Sequence, residues 1–151
     1  MKKFLSLMVL LILINMVNAQ VRYSPKAETD IQISILNLVQ PTDRTIAFDV
    51  YLLDTDPAQN FELGGVQLGL LFNSGIYSGG TISGSYDNSN SGLKAIQLPY
   101  ASITFNNSMA AYPNKTLMRL ASGNLPGAGQ GTIISSTSPG TLMTRITLSI
   151  S

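Results

Sequence analysis

The chain of 151 residues contains no cysteine, no histidine and no tryptophan. Each absence removes a class of structure or chemistry. Without cysteine there is no disulfide to brace the fold and no thiol to carry a lipid behind a leader, so stability has to come from core burial. Without histidine and cysteine, the usual zinc and copper sites and the Ser-His and Cys-His nucleophile pairs cannot be built. Without tryptophan, the common platform for stacking on a sugar ring is missing. Charge is scarce as well, at 11% of residues. Scattered acids make paired-carboxylate catalysis unexpected: Asp49 and Glu62 are the one pair that could be imagined flanking a glycosidic bond, and chance explains them better. The chain is expected not to be an enzyme and to need no cofactor.

What is present begins with a three-zone N-terminus. Lys2 and Lys3 precede an apolar run from Phe4 to Val17, broken only by Ser6 and Asn15, and Val17-Asn18-Ala19 offers a small-x-small cleavage site. This pattern predicts a helical signal peptide over residues 1–19, cut after Ala19, rather than a retained anchor, because no basic stop-transfer residues follow. The product is then secreted or held at the cell surface. Residues 20–30 carry charges and a proline without periodicity and are read as a leader arm. With Lys2 and Lys3 removed, seven basic residues face eight acidic ones. A nearly neutral surface gives no footprint for nucleic acid or an anionic membrane.

From Ile31 the pattern has period two. Ile31, Ile33 and Ile35 alternate with Gln32 and Ser34. Ile46, Phe48, Val50 and Leu52 share one face against Ala47, Asp49 and Tyr51, and Val66, Leu68, Leu70 and Phe72 oppose Gln67 and Gly69. Strands with one face on a core and one in water alternate in this way. Shorter runs follow at 76–77, 81–86, 93–98, 102–105, 116–121 and 132–135, and Ile146, Leu148 and Ile150 alternate near the end. Turn and breaker residues separate them, including Asp54-Thr55-Asp56-Pro57, Asp87 to Gly92 and Gly127 to Gly131. No stretch after the leader keeps an apolar stripe at helical spacing. About nine short strands at this spacing predict an all-β sandwich over residues 31–151. Phe48, Val50, Leu68, Leu70 and Phe72 are expected to face inward. The last residue, Ser151, closes a strand, which leaves open a longer protein of which this is the front piece.

Candidate ligand residues are few. Asp54 and Asp56 are the tightest acidic pair, and alternate loop oxygens can hold calcium. No glutamate follows at ligand spacing and Pro57 restricts the loop, so a solvated turn is expected and no metal site. The glycine-rich loop Gly127 to Gly131 precedes no helix and lacks the lysine ending of a phosphate loop. Tyr51, Tyr77, Tyr86, Tyr100 and Tyr112 are more informative, because exposed flat rings on one sheet could stack on sugar C–H faces. Tyrosines filling strand ends are the plainer expectation.

The segment Ile46-Ala-Phe-Asp-Val-Tyr-Leu-Leu-Asp-Thr55, followed by Leu63-Gly-Gly-Val-Gln-Leu-Gly-Leu-Leu-Phe-Asn73, resembles cohesin-like domains of exported proteins from Bacteroidetes-type bacteria. Residues 127–135 and 139–151 resemble the closing strands of the same domains. The resemblance implies a jelly-roll (immunoglobulin-like) β-sandwich that binds a protein or a polysaccharide, and a type IX secretion route, although the sorting tail is absent. It transfers no functional residue. The expected function is an exported, non-catalytic binding or adhesion module that contacts a protein partner through one sheet face, within a larger multidomain secreted protein. The alternative is a carbohydrate-binding module using its tyrosines.

Overall fold

The computed structural model describes residues 31–77, 80–99, 103–107 and 109–151. The expected signal peptide and leader arm lie outside the described residues, as does Tyr100. No helix among the described residues is long and apolar enough to cross a membrane.

The described chain is mostly β. Its strands are β1 (Ile31–Thr42), β2 (Thr45–Asp54), β3 (Glu62–Leu63), β4 (Gln67–Asn73), β5 (Ile82–Asp87), β6 (Thr104–Asn106), β7 (Lys115–Ala121), β8 (Thr132–Ile133) and β9 (Thr141–Ile150). They form three antiparallel sheets, ordered β1-β2-β9-β5, β4-β7-β6 and β3-β8, and none closes into a barrel. Two expected strands are 3-10 turns instead, at Ser74–Tyr77 and Ala95–Gln97. Local polar bonds account for both. The Asn73 side chain accepts the Gly75 N–H at 2.9 Å, and the Gln97 N–H closes back onto the Lys94 carbonyl at 2.8 Å. A two- or six-residue apolar run has too little period to overrule such bonds.

The period-two reading places the faces correctly. Phe48, Val50 and Leu52 of β2, Ile146 and Leu148 of β9, and Met118 and Leu120 of β7 belong to one buried cluster. The two larger sheets therefore share a core, which makes the fold β-sandwich-like. On β4, Leu68, Leu70 and Phe72 alternate with exposed Gln67, Gly69, Leu71 and Asn73. These three side chains pack against the core but remain partly exposed, unlike the fully buried Val50 and Ile146. Phe72 meets Tyr77 and Phe105 edge to face, with ring centroids 6.3 and 6.4 Å apart.

Away from the core, polar groups secure the joints. Asp49, on the outer side of β2, receives hydrogen bonds from Arg145 of β9 and Asn37 of β1, both at 2.7 Å. The buried Gln97 amide donates to the Leu63 carbonyl and accepts from the Thr132 N–H, tying β3 to β8. Gly140 has a φ of +99°, and a Cβ there would lie 2.2 Å from the Leu52 carbonyl oxygen. Only glycine fits that approach.

The two larger sheets differ in width. A Cβ at Gly84 of β5 would come within 2.8 Å of Ile103 and 3.2 Å of Phe105, so β5 lies against β6 and the residue just before it. By the strand order from that side, β9 falls over β7 and β2 over β4, and among the described residues no strand of the three-stranded sheet falls opposite β1.

Candidate functional site

The described tyrosines do not gather on one face. Tyr51 is half-buried on the outer side of β2, opposite Ser34. Tyr77 packs against the core and its hydroxyl bonds Thr116 Oγ1. Tyr86 also packs against the core, and burial pushes its phenol above the ordinary tyrosine value. Tyr112 is exposed, in the turn region before β7. Beside Tyr86, hydrogen bonds from the Ser89 side chain and N–H hold the Asp87 carboxyl below its ordinary value.

Asp54 and Asp56 cap their own loop. Asp54 Oδ1 accepts the Asp56 N–H at 3.0 Å, and its Oδ2 accepts the Phe61 N–H at 3.1 Å. Asp56 Oδ1 accepts the Ala58 N–H at 3.0 Å. Among the described residues, no three His, Cys, Asp or Glu side chains gather in a way that could hold a metal ion. Asp49 and Glu62 serve different joints: Asp49 is bound by Arg145 and Asn37, and Glu62 accepts the Gly131 N–H.

Two surfaces have the form of a binding site. The first is an open depression of about 610 Å³ on the three-stranded sheet, lined by Gln67, Gly69, Thr104 and Arg119 among others. The ladder sets Gly69, Arg119 and Thr104 side by side across β4, β7 and β6. The missing side chain at Gly69 leaves space there. Arg119 has no ion pair among the described residues, and these three strands carry Lys115 and Arg119 but no acid. Hydrogen-bonding ligands can be held on such a floor. Nothing in the alternation of this stretch singled out Arg119, which reads as one solvated cation between apolar neighbours.

The second surface is β1. Ile33 and Ile35 pair with the core-facing Leu52 and Val50, so they occupy the inner face of the sheet. They are nevertheless 47% and 48% exposed, whereas Leu52 and Val50 are buried. Leu36, Leu38 and Val39 continue the exposed apolar run. The strand contains no charged residue. Its later part is interrupted by two register shifts and by Asn37 in the left-handed region, φ 52°, while Ile31 to Leu36 pair regularly with β2. A bare apolar edge of this length is unusual in a free-standing domain, where edges are commonly blunted by charge or covered.

The chain matches no protein-family model, no curated protein and no solved structure.

Proposed function

We propose that the chain is an exported, non-catalytic binding module of the jelly-roll, cohesin-like kind, which contacts a protein partner as part of a larger secreted protein. The observation that carries this reading is the uncharged apolar strand β1 at the open edge of its sheet. A polypeptide partner supplies the apolar side chains that would cover the inner face of this strand, where Ile33 and Ile35 stand exposed. A polysaccharide offers mainly hydroxyls there instead. The leader pattern of residues 1–19 supports export, and N-terminal sequencing of exported material is expected to begin at Gln20.

The deciding experiment compares the wild-type chain with an Ile33→Lys/Ile35→Lys variant as bait in the secreted fraction of the host. A protein recovered by the wild type and lost with the variant, together with an empty glycan array, is the expected outcome. Glycan binding that survives this double change would overturn the reading.

A carbohydrate-binding module remains the second reading. The depression around Gln67, Thr104 and Arg119 favours it, because it offers amide, hydroxyl and guanidinium groups to sugar hydroxyls. Array binding that disappears on Tyr51→Ala or Tyr86→Ala would favour the tyrosine version of it.

A further inference from the structure

Among the described residues a sheet of four strands lies over a sheet of three, and the unmatched place lies beside β4, across from β1. We propose that this place takes one extended strand of a protein partner, which pairs with the free edge of β4, widens the β4-β7-β6 sheet to four strands and covers Ile33 and Ile35. The proposal rests on the protein-binding reading and names the form in which the partner is held.

The main-chain groups of β4 divide between its two edges. Across β4 and β7, the Ser122 N–H donates to the Val66 carbonyl at 2.8 Å and the Val66 N–H to Ser122 Oγ at 3.0 Å. At the far end, the Ser74 N–H donates to the Asn114 carbonyl at 3.1 Å. Main-chain groups of successive residues point to opposite edges of a strand. Leu68, Leu70 and Phe72 therefore engage β7, as Val66 does. Gln67, Gly69, Leu71 and Asn73 present their N–H and C=O groups to the open edge. Among the described residues, no other strand pairs with that edge.

The side chains specify the chemistry of the occupant. A strand beside β4 turns every second residue inward, where it meets Ile33 and Ile35 and lies alongside Leu68 and Leu70. Neither β1 nor β4 carries a charge. An inward charge on the partner would be buried without a counter-ion. The occupant is thus an extended segment with apolar residues at alternate positions, about seven residues long to match β4. A strand added to β1 itself would extend the wider sheet and leave the isoleucines uncovered. The same holds for a second copy docking edge to edge through β1.

The alternation also gives an internal control. The Asp54 N–H points away from β1, to the Ser135 carbonyl at 3.0 Å. Leu53 and Tyr51 therefore face β1, and their partners Gln32 and Ser34 face back. Ile33 and Ile35 then turn their amides to the free edge of β1.

The test is amide hydrogen exchange by NMR, with and without a soluble peptide that carries valine at four alternate positions, threonine between them and lysine at each end. Saturable slowing of the Gln67, Gly69, Leu71 and Asn73 amides by about tenfold or more is expected, with Leu68 and Leu70 unchanged. Leu71→Pro removes one edge N–H and no bond to β7, so peptide binding should be lost. Leu71→Thr keeps the N–H and should bind as the wild type does. Slowing at Ile33 and Ile35 instead, whether from the peptide or from self-association, overturns the proposal but leaves a protein partner in place. A peptide that slows no amide also overturns it, and the bait experiment then judges the broader reading separately.

Discussion

β1 and β2 are neighbours with the same alternating pattern, and their fates differ completely. Val50 of β2 is wholly buried, while Ile35 of β1, directly beside it on the same face, is 48% exposed. The difference does not lie in the residues. It lies in the facing sheet, which among the described residues ends one strand short. Alternation states which side chains share a face, and it is silent on whether anything stands opposite. Beyond Ile31, which packs against the core, β1 is held mainly by its ladder to β2 and by the Asn37 bond to Asp49.

Ile146→Ala should break the buried side of this comparison. Ile146 sits between Phe48 and Tyr86 in the ladder and is fully buried. Losing it is expected to cost about 2–5 kcal/mol through transfer and cavity terms. A natural domain has only about 5–15 kcal/mol of stability, so the urea midpoint should fall steeply. A shift no larger than that of a surface change would mean that the two sheets do not share this core.

Phe72→Ala should fall in between, because Phe72 packs against the core yet stays partly exposed. We expect a loss of about 2 kcal/mol, below the range for a sealed phenylalanine. Gln67→Ala, on the opposite face of β4, should cost under about 0.5 kcal/mol. Equal urea midpoints for the two variants would exchange the faces of the strand.

Asn37→Ala sharpens the edge side. It removes a hydrogen bond to a buried carboxylate and leaves an ordinary side chain at positive φ. About 1–2 kcal/mol is expected, read as faster amide exchange in β1 ahead of the rest of the sheet. Asn37→Gly, which relieves the backbone but not the lost bond, should recover part of it. Uniform exchange throughout the sheet would mean that β1 has no separate stability.

The smallest effect belongs to Ile33→Thr. This swap keeps β propensity at an exposed position, so thermal and urea midpoints should stay within about 0.5 kcal/mol of the parent. Partner capture should weaken all the same. A loss comparable to Ile146→Ala would show that β1 is covered after all.

Much of the fold could be read without coordinates, because the β2, β4 and β9 alternations are long enough to average over single-residue noise. The inward set Phe48, Val50, Leu68, Leu70 and Phe72 emerged on the correct side. The short runs at 76–77 and 93–98 did not survive, since Asn73 and Lys94 supply local bonds that a few apolar residues cannot outweigh. The candidate sites were much less legible. Their polar neighbours in the chain left Tyr77 and Tyr86 open to a role as exposed rings, but both pack against the core, as the plainer expectation for strand-end tyrosines had it. Arg119 gave no signal, because its partners in the depression come from β4 and β6, far away in sequence.

Composition and period, which are local properties, determined that the chain is mostly β, which faces point inward, and which residue types are missing from any site. The tertiary structure alone decided that, among the described residues, the sheets are four and three strands wide, that Asp49 is bound between Asn37 and Arg145, and that Ile33 and Ile35 are left exposed. Those outcomes depend on which distant strands meet, and a pattern of period two carries no information about the strand across the core.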